Sequence, residues 1–500
     1  MRMVSFRRGL IFAIVVASLM VQGVWRSPAK ADFLPYCQQT AATIAQKDSV
    51  RLAALSGNPE ARQKYQDLLN NQANQLRQCR NQNWLKTQGI WLRLYECDAR
   101  PGALEEVLDR IVDRGYNEVY VEAFYNGQVL LPAANNSTAW QSVVQSPNVD
   151  LLAQIIQKGH DRGLKVYAWM FSMNFGYTYA MRPEKQVSLL RNGRGQTSFN
   201  ANVIAGLGTD LGTLNSDEAF IDPYSLSAKQ DYYRMMQEVL KRKPDGVLFD
   251  YIRYPRSRGT ESIATKVQDL WVFGEASRRA LIDRGLNNKG RELIKRYLDR
   301  GSISANDVAA VDKLFPKERV PMWQGRMANA IDLRGSAGQR AGVLQTELWR
   351  LSVAHAMQGV VDFLNLAIYP VQQAGIPAGA VFFPEGNQTI GQGFDSRLQP
   401  WDRFSSKIEW HPMSYATCGN ANCIVSQVQR VLAEAASGTK VEPVLAGIWQ
   451  ESISNRPPLE VQMEALKSLS PRISSISHFA YSWQEPQSDR DRKYCAARRL

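Results

Sequence analysis

The sequence is poor in the residues that build metal and nucleophile sites. Its 500 residues include four histidines, and no His, Cys and Asp cluster has metal-ligand spacing. No two of its six cysteines have the Cys-x-x-Cys spacing of a zinc site. A Gly-x-Ser-x-Gly elbow and a phosphate-binding glycine loop are also missing. We therefore expect no metal and no cofactor.

The sequence also lacks a block of lysines and arginines, so a nucleic-acid partner is not expected. The formal net charge is +13, and residues 1–31 supply five of these positive charges and no acid, which leaves +8. A moderate excess of this kind suits an anionic envelope surface or polymer.

One apolar run stands apart at the N-terminus, at residues 10–21. Three arginines precede the run, and Ala29-Lys30-Ala31 supplies small residues two apart. We predict a signal peptide over 1–31, cleaved after Ala31, and an exported protein in the periplasm or outside the cell with no stable membrane span. An uncleaved anchor is the alternative, because Val24 and Trp25 extend the run. No cysteine follows the run, which argues against a lipoprotein.

Six cysteines in an exported chain indicate disulfides. Cys37 and Cys79 flank two helical patterns of nearly equal length that meet at Ser56-Gly57-Asn58-Pro59, so an antiparallel hairpin brings them together. Cys418 and Cys423 are close enough in sequence to close a tight loop. Cys97 and Cys495 remain, and pairing them would tie the first barrel loop to the C-terminus.

The chain order predicts an α/β fold of the (β/α)8 TIM-barrel type. Alternating apolar runs and helical patterns indicate a parallel sheet covered by helices. We expect an N-terminal helical hairpin at 32–86, a barrel at 87–486 with a helical insertion at 256–340 after strand four, and a C-terminal tail at 487–500. The predicted strands are 89–94, 118–123, 165–170, 247–250, 379–383, 408–413, 442–449 and 476–483.

The fourth strand carries the strongest functional signal, in the stretch DGVLFDYIRYP at 245–255. A short apolar run follows Pro244-Asp245-Gly246, as in a buried parallel strand. Asp250 ends the run, where a barrel strand opens onto the face that holds the active site. The alternative is that Asp250 only pairs with Arg253.

Most predicted strand ends carry an aromatic residue, and several carry a carboxylate. Sugar rings stack on Trp and Tyr, and glycosidic cleavage typically uses two carboxyl groups. Asp250 is the first candidate, Glu385 its first candidate partner because adjacent strand ends are close, and Glu122 the second. The predicted substrate-binding residues are Trp169, Arg253, Tyr254, His411, Tyr415, Trp449, Tyr481 and Trp483. The alternative is that these aromatic residues are core or rim packing and that Glu385 is a solvated turn residue.

Four motifs resemble the bacterial glycosyl-hydrolase-like family ten. They are GIWLRL at 89–94, GLKVYAWMF at 163–171, DGVLFDYIRYP at 245–255 and PMSY at 412–415. The resemblance implies a (β/α)8 fold, Asp250 in the active site, and action on bacterial glycans, including peptidoglycan strands. The ends of strands two and five, VEAFYNGQ and VFFPEG, depart from the family's pattern.

These observations together predict a glycoside hydrolase whose partner is a polysaccharide or a peptidoglycan glycan strand. A glycan-binding barrel without catalysis is the alternative, since both need the aromatic lining and only the enzyme needs two facing carboxylates. A metal-dependent hydrolase would need three convergent ligands, which the sequence does not offer.

Overall fold

A computed structural model of the protein describes residues 35–198, 218–257 and 259–495. The predicted signal peptide, 1–31, lies outside the described residues. Part of the long segment after the third strand, 199–217, and the C-terminal residues 496–500 also lie outside them.

Eight parallel strands close into a barrel within the described residues. Each strand pairs with the next one along the chain, and the first pairs with the eighth, which closes the sheet. The predicted (β/α)8 fold is confirmed. The strands are β1 Thr87–Leu92, β2 Glu118–Tyr125, β3 Lys165–Phe171, β4 Gly246–Asp250, β5 Ala378–Phe382, β6 Glu409–Ser414, β7 Val444–Ala446 and β8 Ser475–Phe479.

Two strands are shorter in the structure than the sequence predicts. Strand seven was expected over 442–449 and spans only Val444–Ala446. Strand eight was expected to reach Trp483, but it ends at Phe479 and a helix begins at Tyr481. Apolar and aromatic residues continue past both strands, in the loop after strand seven and in the helix Tyr481–Gln484 after strand eight. Composition alone therefore did not mark where hydrogen bonding to neighbouring strands stops.

Helices cover the barrel and form the additions to it. They are α1 Ala41–Leu55, α2 Pro59–Gln82, α3 Ala103–Asp113, α4 Leu151–His160, α5 Tyr177–Ala180, α6 Leu226–Leu240, α7 Glu275–Ile282, α8 Asn288–Arg300, α9 Ala305–Leu314, α10 Ala330–Arg334, α11 Ala337–Gln373, α12 Asn422–Glu434, α13 Leu459–Leu466, α14 Tyr481–Gln484 and α15 Pro486–Lys493. The insertion after β4 thus contains α7 to α10, and α15 lies in the segment predicted as a tail.

Helices α1 and α2 form the predicted N-terminal hairpin. The Thr40 side chain caps α1, and the Asn58 side chain caps α2 with Pro59 at its first position. Buried ion pairs join α1 to α3 of the barrel: Lys47 Nζ lies 2.5 Å from Asp113 Oδ1, and Arg51 Nη1 lies 3.1 Å from Asp109 Oδ2. The hairpin therefore packs beside the barrel.

All three proposed disulfides are present in the structure. Cys37–Cys79 joins the start of the hairpin to the end of α2, and Cys418–Cys423 ties the loop before α12 to the first turn of that helix. Cys97–Cys495 ties the loop after β1 to the segment after α15. A link across 398 residues removes much of the freedom of the unfolded chain.

Helix α11 connects β4 and its insertion to β5. Among the described residues it is the one helix that is long and apolar enough to cross a membrane. The sequence analysis identified such an apolar run only at the N-terminus. Its most apolar window is 67% buried inside the protein. Burial of this extent is also typical of a core helix.

The lower half of the barrel interior is filled by large aromatic side chains. The Tyr120 ring lies 4.9 Å from the Trp91 ring and 5.6 Å from the Tyr167 ring. Two glycines make room for them, because a Cβ on Gly89 would lie 2.7 Å from the Tyr120 side chain and one on Gly246 would lie 2.2 Å from that of Tyr167. This part of the interior is therefore a packed core.

Candidate active site

A cavity of about 520 Å³ lies at the carboxyl ends of the barrel strands. Its charged lining comes from β2, β4 and the segments that follow β1 and β4, together with Glu218. Aromatic side chains supply most of the remaining surface. The lining residues are Trp91, Arg93, Glu122, Trp169, Phe171, Glu218, Asp250, Tyr251, Arg253, Val381, Phe383, Met413, Tyr415, Ser454, Phe479 and Trp483.

Asp250 is the last residue of β4 and is 8% exposed. Its Oδ1 accepts a hydrogen bond from the Tyr251 backbone N–H at 2.6 Å, and its Oδ2 accepts one from Trp169 Nε1 at 3.2 Å. Burial raises the pKa of Asp250 to about 6, although these hydrogen bonds and the Arg253 charge oppose the increase. Asp250 is thus placed to give up a proton near neutral pH.

Glu122 lies within β2, fully buried. Its Oε1 accepts a hydrogen bond from Arg93 Nη2 at 3.1 Å, and its Oε2 accepts a second one from Arg93 Nε. Burial raises the pKa of Glu122, and the Arg93 charge works against that increase. Glu122 also adds a smaller upward contribution to the pKa of Asp250.

Tyr251 follows Asp250 with a φ of 52°, in the left-handed region that a bulky residue rarely adopts. Its hydroxyl donates a hydrogen bond to Glu218 Oε1 at 3.0 Å. Burial raises the pKa of Glu218, while Arg253 and Tyr251 oppose that increase. Tyr251, with its unusual backbone conformation, thus contacts a third carboxyl group in the cavity, that of Glu218. The sequence did not indicate this carboxyl group.

Arg253 is 7% exposed and lies among aromatic rings. Its guanidinium carbon is 4.7 Å from the centroid of the Tyr251 ring and 5.7 Å from that of Phe383. Nη1 donates to the Tyr254 backbone oxygen at 3.0 Å. Within the ranges that the structure describes, no ion pair joins Arg253 to Asp250, so the alternative of a simple Asp250–Arg253 pair is not what the fold provides.

Aromatic side chains line the cavity around Asp250. The Trp169 ring stands edge-on to Trp91 at 4.8 Å and to Phe479 at 6.2 Å. The Tyr415 ring lies 5.9 Å from Phe479. Such rings offer the apolar faces on which sugar rings stack.

Six of the predicted site residues meet in this cavity: Asp250, Glu122, Trp169, Arg253, Tyr415 and Trp483. The structure does not bring the other five to its lining: Glu385, Tyr254, His411, Trp449 and Tyr481.

Glu385, the first-choice partner of Asp250, is turned to α12, where its Oε1 accepts a hydrogen bond from Gln427 Nε2. The Tyr254 hydroxyl donates to the Ala356 carbonyl of α11 at 3.1 Å. Because both side chains are fixed toward the outer helices, neither contributes to the barrel mouth.

The remaining three side chains lie elsewhere: His411 and Tyr481 are buried, and Trp449 is half-buried. His411 lies inside the barrel below the cavity, where its Nε2 is 3.4 Å from Glu409 Oε2. The Trp449 ring lies 5.6 Å from that of Tyr36 near the hairpin. The Tyr481 hydroxyl lies 2.9 Å from Ser488 Oγ on α15. Tyr481 points away because β8 ends before it.

Sequence reasoning missed Glu218 because it does not follow a strand. The chain returns to the barrel mouth there, where the Phe175 N–H donates to the Ala219 carbonyl at 2.8 Å. No periodicity marks such a return. Trp91 and Phe479 were missed for a different reason, since both lie within predicted strands and their inward direction depends on the strand's register.

Within 35–198, 218–257 and 259–495, no group of three or more His, Cys, Asp or Glu residues is placed to hold a metal ion.

No protein-family model and no curated protein matches the sequence. Among solved structures, the chain is similar to the PgaB (BpsB) glycoside hydrolase domain from Bordetella bronchiseptica, at 13% identity and a TM-score of 0.45, over 81% of this chain and 98% of that one. It is also similar to the catalytic domain of β-amylase from Paenibacillus polymyxa, at 8% identity and a TM-score of 0.46, over 79% of this chain and 92% of that one. A GH18 chitinase from Pseudoalteromonas aurantia is similar at 10% identity and a TM-score of 0.35, over 82% of this chain and 98% of that one. At these values the similarities establish neither a family nor an activity.

Proposed function

We propose that this protein is an exported glycoside hydrolase of the cell envelope or the extracellular space, acting on a polysaccharide such as a peptidoglycan glycan strand. The observation that carries the proposal is the pair of carboxyl groups in one aromatic cavity. Asp250 is buried with a pKa raised to about 6, and Glu122 is held against Arg93. The three disulfides support export, because such bonds persist in oxidising compartments.

The two carboxyl groups have different roles in this proposal. Asp250 donates its proton to the glycosidic oxygen, since burial keeps a fraction of it protonated near neutral pH. Glu122, ion-paired with Arg93, is the carboxylate that acts on the anomeric carbon or on a water molecule. Trp169 serves both parts of the site, because its ring lines the cavity and its N–H fixes Asp250.

The test is release of products from peptide-free and peptide-bearing peptidoglycan strands by purified protein. We expect the wild type to release fragments and Asp250→Asn and Glu122→Gln to release at least about a hundredfold less, since loss of general acid–base catalysis typically costs that much. Glu385→Gln, which changes a carboxylate outside the cavity lining, is the matched control and should stay near wild type.

The outcomes separate catalysis from simple binding. Equal product release from the wild type and Asp250→Asn would disprove the assignment of Asp250. Tight binding of strands with no product release by the wild type would favour the non-catalytic glycan-binding barrel instead.

A further inference from the structure

The loop after β1 is fixed by the C-terminal helix α15. Arg492 of that helix donates from Nε to Asp98 Oδ1 and from Nη2 to Asp98 Oδ2, both at 2.7 Å. The same Nη2 donates to the backbone carbonyl of Arg93 at 2.7 Å. The Asp98 side chain is completely buried and that of Arg492 is 9% exposed. This bidentate contact is the strongest hydrogen-bonding geometry between an arginine and a carboxylate.

Two further contacts join the same loop to the same end of the chain. The Tyr95 hydroxyl donates to Asp489 Oδ2 at 3.1 Å. Two residues further along the loop, Cys97 forms the disulfide with Cys495. The Arg492 guanidinium also lies 5.3 Å from the centroid of the Tyr95 ring. The path of the loop is thus determined by residues almost four hundred positions away in sequence.

Arg93 begins this loop and reaches into the cavity. Its guanidinium makes two hydrogen bonds to Glu122 and lies 4.6 Å from the Tyr125 ring centroid. The Arg93 side chain is 38% exposed, so surrounding packing does not hold it on every side. Its position against Glu122 therefore depends on where its own backbone is held, and Arg492 bonds directly to that backbone.

We propose that Arg492 is a positioning residue that holds Arg93 against Glu122. This inference rests on the proposed glycosidase function, in which Glu122 is the working carboxylate. Arg492 is not among the described residues that line the cavity. It reaches the site through the Arg93 backbone carbonyl and through the loop residues Asp98 and Tyr95.

The consequence follows from the two opposing influences on Glu122. Burial favours its neutral form and the Arg93 charge favours its ionised form. When Arg93 moves away, burial remains and the pKa of Glu122 rises. The acid limb of the activity profile, where Glu122 must lose its proton, then moves to higher pH.

The experiment compares pH profiles of kcat and KM for the wild type, Arg492→Gln and Arg492→Lys, with peptidoglycan strands as substrate. We expect Arg492→Gln to move the acid limb upward by about one pH unit, the lower end of what an opposite charge contributes at close range. KM should change less than about twofold, because no substrate-facing group is altered. Arg492→Lys should recover part of the shift, since it keeps a charge beside Asp98 without the bidentate geometry.

Glu485→Gln is the matched control at the same end of the chain. Glu485 pairs with Arg110 and Arg114 on the barrel side, at 3.1 and 2.7 Å. Among the described residues, none of its side-chain contacts reaches the loop after β1. This variant should lower the unfolding temperature without moving the acid limb. Equal loss of activity in Arg492→Gln and Glu485→Gln with unmoved acid limbs would show that Arg492 is merely structural and overturn the inference.

A second measurement does not depend on activity. The carboxyl carbon of Glu122 in protein labelled with ¹³C-glutamate, identified by its loss in Glu122→Gln, reports the Glu122 pKa directly. We expect that pKa to be higher in Arg492→Gln than in the wild type, and an unchanged pKa would refute the inference. If the wild type cleaves no glycan but the Glu122 pKa is still higher in Arg492→Gln than in the wild type, only the proposed function is refuted.

Discussion

Two buried glutamates at the lower end of the barrel share one tyrosine hydroxyl. Tyr120 Oη lies 3.0 Å from Glu118 Oε2 and is also hydrogen-bonded to Glu442 Oε1. A phenol has one proton, so it donates to one carboxylate, and the other contact is a hydrogen bond only if that carboxyl group is itself protonated. Burial first, and Glu442 second, raise the pKa of Glu118 to about 7. We therefore predict that this cluster keeps a proton in the folded protein at mildly acidic pH.

The perturbation is Glu118→Gln, which keeps the shape and the hydrogen-bonding ability but removes the titration. In the folded wild type the proton is released near pH 7, whereas an ordinary glutamate releases it near 4.5. Between these values the folded state binds more protons than the unfolded state, so the free energy of unfolding falls as the pH rises. The shift corresponds to about 3 kcal/mol, fully lost above pH 7.

The surrounding charges are part of the same cluster. Lys165 Nζ lies 3.5 Å from Glu118 Oε1, and Lys440 Nζ lies 3.5 Å from Glu442 Oε2 and 2.7 Å from Glu409 Oε1. His411 Nδ1 is 3.9 Å from Glu442 Oε1. All of them remain in the variant, so the difference between wild type and Glu118→Gln reports the titration that Glu118 brings to the cluster.

The assay is urea unfolding with disulfides intact, at intervals from pH 4.5 to 8. We expect Glu118→Gln to gain stability relative to the wild type as the pH rises, by up to about 3 kcal/mol at pH 8. Glu451→Gln, at an exposed glutamate, is the control and should track the wild type. A stability difference between Glu118→Gln and the wild type that does not change with pH would refute the reasoning.

Three further predictions follow from single contacts. Activity should fall about tenfold per pH unit well above pH 6, as Asp250 loses its proton, and a flat rate from pH 6 to 8 would contradict its role. Trp169→Phe removes a donor to ionised Asp250, so the alkaline limb of the kcat profile should move to higher pH. Gly246→Ala should destabilise by about 1–3 kcal/mol in urea unfolding, because its Cβ meets the Tyr167 ring. Gly342→Ala, whose Cβ meets nothing within 4 Å, is the control for that measurement.

The sequence alone was sufficient for the barrel and for the place of Asp250. Alternating apolar runs and helical patterns admit few architectures, because a parallel sheet needs a covering helix after each strand. Residues at or near the carboxyl ends of such strands reach the same end of the barrel, whatever the loops do. That is why Asp250, Glu122, Trp169 and Tyr415 were correctly expected to lie near one another.

The tertiary structure decided which of the other candidates face the cavity. Glu385 follows β5 as expected, but Gln427 of α12 draws it outward, and β8 stops before Tyr481 can join the rim. Glu218 reaches the site because a distant segment folds back onto the barrel mouth. The periodicity of apolar residues indicates which side chains of one helix or strand are buried and to which side they point. The partners of a loop residue lie far away in the chain, so their contacts exist only once the fold brings them together.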